Sequence, residues 1–219
     1  MPNLSLFPLH TVLFPDMPIH LHIFEERYRQ MMRRCLQEDQ PFGVVLIRSG
    51  LEILQPEIEI YAIGCTAHID HVEHLKDGKM NLVARGLQRF RILKTSRRLP
   101  YLSAETEPLA LSWQESPAAN HNLTVLRRQM WHYLKMFSRV HENGTDLSLL
   151  ELPGDAVLLL NLGASILQIP SYEKQTLLEF ADGVRLLDKL QHIFRRETAV
   201  LEAIQRRGDD PSDHDIRNN

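Results

Sequence analysis

Apolar and polar residues alternate through much of the first half of the chain. In PIHLHI, from Pro18, apolar residues occupy every second position, whereas FGVVLI, from Phe42, is a continuous apolar run. Alternation is typical of a strand with one buried face, and a short continuous run is typical of a strand buried on both faces. An Asp77-Gly78 pair marks a hairpin between two further segments of this kind. The pattern predicts short strands as far as Pro108, forming a closed or nearly closed sheet.

Helical spacing appears in two places. From Phe24 apolar residues recur every three or four positions, which predicts one helix over residues 24–39 inside the strand-rich part. Later stripes predict a helix over residues 123–140 and further helices capped by Asp155, Ser171 and Asp182.

This change of period predicts an α+β fold in three parts. Residues 1–110 form a β-rich part, residues 118–207 form a C-terminal helical part, and residues 208–219 form a disordered polar tail.

The bulk composition narrows the class of partner. The formal net charge of the 219 residues is -3, which gives no reason to expect nucleic acid or an anionic membrane as an obligatory partner. Cys35 and Cys65 follow the apolar pattern without a CxxC motif, which disfavours zinc and disulfide frameworks and favours a cytoplasmic location. The N-terminus lacks the basic flank of a secretory signal, and no apolar run could span a bilayer.

The strongest ligand-like cluster is HIDHVEH, residues 68–74. Strand alternation predicts that His68, Asp70 and His74 point one way and that His71 and Glu73 point the other. We therefore interpret these side chains as solvated strand residues and predict no metal site.

Two histidines on another strand keep an alternative open. His20 and His22 share one strand face and could join His68 and Asp70 as ligands of a metal- or small-ligand-dependent enzyme. Against this, the chain has no dinucleotide loop, phosphate loop or nucleophile elbow. We expect no catalytic residues, no cofactor and no enzyme activity.

Five arginines form a basic run over the later strands. The favoured interpretation is a solvated face, and the alternatives are a strip that binds anions or acidic peptides and a strip that binds RNA. The run comprises Arg85, Arg89, Arg91, Arg97 and Arg98.

Six segments in a fixed order resemble one protein family. They are LFPLHTVLFPDMPIHLHIFEERYRQM from Leu6, FGVVLI from Phe42, IGCTAHI from Ile63, DGKMNLVARGLQRFRI from Asp77, PYLSAETE from Pro100 and IPSYEKQTLLEFADGVRLLDKL from Ile169. Together they span most of residues 4–195 and resemble the N-terminal domain of Lon proteases, the LON substrate-binding domain.

The resemblance implies a PUA-like, twisted β pseudo-barrel followed by a helical bundle. It also implies that Phe24 and Tyr28 hold the first helix over one opening of the barrel. The family's Phe-Pro-Gly turn is replaced by Phe-Pro-Asp at residues 14–16, which leaves the turn type open. The chain reaches Asn219 without a phosphate loop or a Ser-Lys dyad, so we expect a free-standing, non-catalytic member.

The implied function is recognition of exposed apolar or unfolded polypeptide segments. A peptide could add to a sheet edge or lie in a groove between barrel and bundle. The candidate contacts are Phe14, Met17, Trp131 and Met136, the last two because they lie off the main inward stripe of their helix. The expected partners are polypeptide segments or a protein, with no membrane. A homodimer is left open, and nucleic acid is not expected, although PUA-like RNA binding stays an alternative.

Overall fold

The computed structural model describes residues 3–49, 58–140 and 151–208. The elements are β1 (Leu4–Leu9), β2 (Pro18–Ile23), α1 (Glu26–Glu38), β3 (Phe42–Ser49), β4 (Glu59–Ile60), β5 (Ile63–His74), β6 (Met80–Ser96), β7 (Ser103–Pro108), α2 (Pro117–Val140), α3 (Ala156–Ile166), α4 (Ser171–Glu179) and α5 (Gly183–Gly208). The predicted α+β fold is confirmed. Apart from Gly208, the predicted tail lies outside the described residues.

The strands form one mostly antiparallel sheet. Its order is β1-β7-β6-β5-β3-β4, and β1 also pairs in parallel with β3. Strands β1, β3, β5, β6 and β7 therefore form a closed circuit of pairings. The sheet is not a regular barrel, because β2 and β4 lie outside this circuit and each pairs with one strand among the described residues.

The main core lies between the sheet and α1. Met31 and Met32 of the helix are fully buried against strand residues such as Phe42. The Tyr28 ring packs edge-to-face on Phe7, with centroids 4.5 Å apart. Phe24 does not take the predicted role beside Tyr28. Its side chain is 48% exposed, because Phe24 precedes the helix and continues the alternation of β2, in which its position faces outward.

A tight turn before β2 docks on the middle of β6. Met17 N donates to Phe14 O at 3.2 Å, and Asp16 has φ 65°. A proline at the second position of a turn and a positive φ at the third are typical of a type II turn. The turn type that the Phe-Pro-Asp sequence left open is therefore type II. Asp16 N donates to Gly86 O at 2.8 Å, and Gly86 N donates to Met17 O at 3.0 Å. A Cβ at Gly86 would lie 2.3 Å from Phe14 O.

The chain divides into two compact units. The first comprises Met1–Ser112 with Leu160–Asp182, and the second comprises Trp113–Leu159 with Gly183–Asn219. The first unit therefore includes α4, which the sequence pattern assigned to the helical part. Gln175 of α4 helps to attach it, because its Nε2 donates to Ile63 O of β5 at 2.9 Å.

Arg89 of β6 provides the second attachment of α4. Its Nη1 donates to Leu178 O at 2.7 Å and also to Phe180 O, where the helix ends. Carbonyls at a helix C-terminus lack intrahelical donors and carry partial negative charge. Arg89 is 4% exposed, so the solvated-face interpretation is wrong for this arginine. Burial lowers the pKa of its guanidinium from the ordinary value, but an arginine stays cationic at neutral pH.

In the second unit, α2 packs along α5. The Tyr133 and Phe194 rings meet edge-to-face at 5.4 Å, and Gln191 Nε2 donates to Asn122 O at 2.8 Å. None of the described helices combines the length and the apolarity needed to cross a membrane.

Gly86→Ala should lower the free energy of unfolding by about 3 kcal/mol, because the new methyl group overlaps a backbone oxygen that cannot move without breaking the turn. Gly154→Ala is the control, since no atom lies within 4 Å of its Cβ position. Urea unfolding followed by circular dichroism should show a change within about 1 kcal/mol for the control. Equal stability of the two variants would contradict the close approach.

Arg89→Met should lower the free energy of unfolding by about 2 to 4 kcal/mol, because it leaves buried carbonyls without a donor. Arg91→Met is the matched control on the same strand. Arg91 pairs with Glu107 at 3.1 Å with both side chains nearly half exposed, so its loss should change stability by about 1 kcal/mol or less. The same urea titration measures both, and a similar loss in both variants would refute the role given to Arg89.

Candidate functional site

Strand β2 has one unpaired edge within the described part of the chain. Its residues from Pro18 to Ile23 pair with β6 from Arg85 back to Met80. An unpaired edge presents backbone N–H and C=O groups that can pair with another extended chain.

An apolar cleft of about 160 Å³ runs along β2. Every residue from His20 to Glu25 lines it, together with Phe7 and Leu9 of β1 and Tyr28 of α1. Consecutive strand residues point to opposite faces. Because they all border the cleft, the cleft follows the edge of the strand and not one of its faces.

Phe24 is the exposed aromatic side chain of this cleft. Its ring stacks on the His22 imidazole, with centroids 6.1 Å apart and planes 25° apart. The sequence pattern did not predict it at the surface, because helical spacing counts it as inward. Continuing the alternation of Leu21 and Ile23 by one residue would have placed it outward.

A second pocket, of about 420 Å³, adjoins the cleft and shares His20, Leu21 and His22 with it. A hydrogen-bonded row crosses its wall. Asn81 Nδ2 donates to Glu73 Oε2 at 2.8 Å, so its Oδ1 accepts from His22 Nδ1, also at 2.8 Å. The row joins β2, β6 and β5 on one outer face.

The predicted split of the 68–74 cluster is wrong. The register of β5 against β6 shifts between Ile69 and His71, which leaves Asp70 as an extra residue. Such a bulge reverses the alternation beyond it. His68, His71 and Glu73 therefore lie on one face of the sheet.

The four candidate metal ligands are not gathered around one point. His68 Nε2 lies 3.1 Å from Asp39 Oδ1, and Asp70 Oδ2 accepts from Arg85 Nη2 at 2.8 Å. His20 and His22 line the second pocket, and neither His68 nor Asp70 lines it. Within residues 3–49, 58–140 and 151–208, no three His, Cys, Asp or Glu side chains are arranged to hold a metal ion.

The four predicted peptide contacts have different surroundings. Phe14 is 2% exposed and Met136 is 5% exposed, so neither can touch a peptide in this conformation. Phe14 is buried by the docked turn, and Met136 lies on the inward stripe of α2. Met17 is partly buried against the core, and Trp131 is partly buried on α2.

Both thiols are buried and unsuited to nucleophilic attack. Desolvation raises the pKa of Cys35 to about 11 and that of Cys65 to about 12, from an ordinary value of 9.0. Since the thiolate is the reactive form, both groups are inert at neutral pH.

Comparisons with known proteins agree on one family. The family model of the ATP-dependent protease La (LON) substrate-binding domain matches residues 3–196. The chain is 29% identical over 210 residues to a Lon protease of Paraburkholderia phytofirmans, covering 94% of this chain and 26% of that protein. It is 27% identical over 203 residues to a Lon protease of Desulforamulus reducens, covering 91% and 25%. The chain thus spans about a quarter of the length of the curated relatives it matches.

Two solved structures share the fold. A crystal structure of a Lon N-terminal domain protein from Xanthomonas campestris matches with a TM-score of 0.63 and 28% identity, covering 87% of this chain and 97% of that one. The N-terminal domain of the Mycobacterium avium complex Lon protease matches with a TM-score of 0.62, covering 90% and 98%. Its identity is 14%, so this second match shows the fold alone.

A thiol reagent should leave both cysteines of the native protein unmodified at pH 8 and should modify both in 6 M guanidinium chloride. Because the folded pKa values are raised, the thiols' contribution to stability is constant below about pH 9 and is lost as the pH rises toward 11 to 12. Absorbance of released thionitrobenzoate counts the reacting groups. Rapid modification of the native protein would contradict the burial.

Proposed function

Because the chain belongs to the family of LON substrate-binding domains, we propose that it binds exposed apolar segments of unfolded polypeptides and catalyses no reaction on them. Its homology is to the substrate-binding part of Lon proteases and not to their catalytic part. The observation that supports this proposal is the unpaired edge of β2 beside an apolar cleft.

An extended segment would add to β2 as a further strand. Main-chain hydrogen bonds would supply affinity that does not depend on the sequence of the segment. β2 is six residues long, so a segment of about six residues would match it. This length is short enough to occur in almost any unfolded chain.

The cleft would supply the preference for apolar segments. Every second side chain of an added strand points to the same face. One set would therefore meet the apolar wall from β1, and the other set would meet the outer face that carries His20, His22 and the exposed Phe24 ring. Segments in which apolar residues alternate with polar ones should bind best.

The expected partners are therefore polypeptides, and the two buried thiols support a reducing, cytoplasmic setting for this binding. The groove predicted between the two parts of the chain stays a prediction.

Phe24→Ser should weaken binding of a permanently unfolded protein, reduced and alkylated so that it cannot refold, by about tenfold. The substitution removes an apolar ring that becomes buried on binding. Leu87→Ser is the matched control, because Leu87 is also 48% exposed but lines neither the cleft nor the adjoining pocket. Fluorescence anisotropy of the labelled unfolded protein gives both dissociation constants. Equal weakening in the two variants would point to unspecific apolar contact and away from the cleft.

Backbone methylation of the ligand tests strand addition directly. In a six-residue apolar peptide that binds the chain, N-methyl groups on alternate residues of one parity should abolish binding, because those amides donate to β2. Methyl groups on the other parity should leave it within about threefold, since an edge strand uses only every second amide. Loss of binding with both peptides, or with neither, would exclude pairing with an edge.

A further inference from the structure

The row of hydrogen-bonded side chains on the outer face of the first unit fixes the state of one imidazole. Asn81 Nδ2 of β6 donates to Glu73 Oε2 of β5 at 2.8 Å. A carboxylate only accepts, so the reversed amide would place its oxygen against another acceptor. Asn81 Oδ1 therefore faces β2, where it lies 2.8 Å from His22 Nδ1. Because an amide oxygen cannot donate, the hydrogen of the neutral imidazole is on Nδ1.

The other ring nitrogen of His22, Nε2, is consequently an acceptor. In a neutral imidazole one nitrogen donates and the other holds a lone pair. The two nitrogens lie on different sides of the ring, and Nδ1 is directed at β6, so the Nε2 lone pair is directed away from β6. That is the side of β2 that has no pairing partner in the described part of the chain. The side chain is exposed, and Nε2 has no hydrogen-bond partner among the described residues.

The Phe24 ring restrains this imidazole without covering its nitrogen. The two rings are stacked, with centroids 6.1 Å apart and planes 25° apart. A stacked neighbour covers the face of a ring and leaves open the edge on which the nitrogens lie. His20 precedes His22 by two residues on the same face of β2, yet its ring has no hydrogen bond and no aromatic contact among the described residues. Only one of the two imidazoles is therefore held in a defined orientation.

We propose that His22 determines the specificity of the β2 edge by selecting segments whose outward side chain donates a hydrogen bond to Nε2. The inference rests on the proposed addition of a strand to β2, which places every second side chain of the segment on the outer face. Amide and hydroxyl side chains can donate to the lone pair. An ionised carboxylate offers only acceptors and also approaches the charge of Glu73, so acidic side chains are disfavoured at this position.

A metal ion is the other ligand that an imidazole lone pair can take. Metal sites built by proteins use three or four side-chain ligands. In residues 3–49, 58–140 and 151–208, no three His, Cys, Asp or Glu side chains are arranged to hold a metal ion. One oriented lone pair therefore favours a hydrogen-bond donor, and the experiment includes Zn²⁺ to distinguish the two.

The test compares two fluorescein-labelled peptides, Val-Gln-Val-Gln-Val-Gln and Val-Glu-Val-Glu-Val-Glu, each with the same Gly-Lys-Lys tail for solubility. Alternation places all polar side chains on one face, so the comparison does not depend on which of them lies beside His22. At pH 8, where a histidine is neutral, anisotropy titrations of the full chain should show the Gln peptide binding at least about fivefold more tightly, as expected for one hydrogen bond. Equal affinity of the two peptides would overturn the inference.

Variants separate this hydrogen bond from the general effect of charge. His22→Phe keeps an aromatic ring beside Phe24 but removes Nε2, so the preference for the Gln peptide should fall to about twofold or less. His20→Phe is the matched control, because it makes the same change on the same face of β2 and His20 has no hydrogen bond to Asn81. The control should keep the full preference. An equal loss in both variants would assign the selection to the whole face and refute the role of His22.

Nuclear magnetic resonance of the full chain tests the fixed imidazole without any peptide. Two-bond ¹H–¹⁵N correlation spectra at pH 8 distinguish protonated from unprotonated ring nitrogens and should show His22 protonated at Nδ1. Asn81→Leu removes the acceptor, so the proton should then occupy either nitrogen and the preference for the Gln peptide should decrease. Asn81 is in this sense a positioning residue. Protonation of Nε2 in the unaltered chain would refute the inference.

The inference and the proposed function can fail separately. No binding of either peptide at millimolar protein would refute strand addition at β2 and the selection with it. Equal binding of both peptides would refute the selection and leave strand addition in place. A Zn²⁺ dissociation constant below about 1 μM that is lost in His22→Phe would assign the lone pair to a metal ion and refute the donor.

Discussion

The first unit depends on one buried guanidinium. Arg89 lies in the middle of the longest strand and donates to two carbonyls where α4 ends. A cation in this position is stabilised by the partial negative charge of the helix terminus, and it satisfies acceptors that would otherwise be buried without donors. This contact spans about ninety positions of sequence, so a helix far along the chain becomes part of the strand-rich unit.

The sheet closes on itself, but β2 keeps one edge free to pair among the described strands. Five strands pair in a circuit, which satisfies many of their backbone donors and acceptors. β2 remains outside, joined to β6 alone within the described ranges, and the apolar cleft lies along it. The proposed binding of unfolded segments would use this arrangement, because backbone pairing is an interaction that every polypeptide can offer.

The proposed site on β2 works through backbone pairing. The β2 edge would recognise the middle of an extended segment through its backbone. This pairing requires no metal ion and no activated nucleophile, and the buried Cys35 and Cys65 thiols supply no nucleophile at neutral pH.

Local pattern alone determined the class of fold, the place of α1, and the family, because hydrophobic periodicity and the ordered motifs can be read from neighbouring positions. Tertiary structure alone decided which side chains are available. The extra residue Asp70 reversed the faces of His71 and Glu73, since a bulge is fixed by pairing with β6 and leaves no local signal. Docking of the turn on Gly86 buried Phe14, and the start of α1 two residues after Phe24 left that ring in solvent. Exposure is a property of contacts between distant segments, and the sequence of one segment cannot specify it.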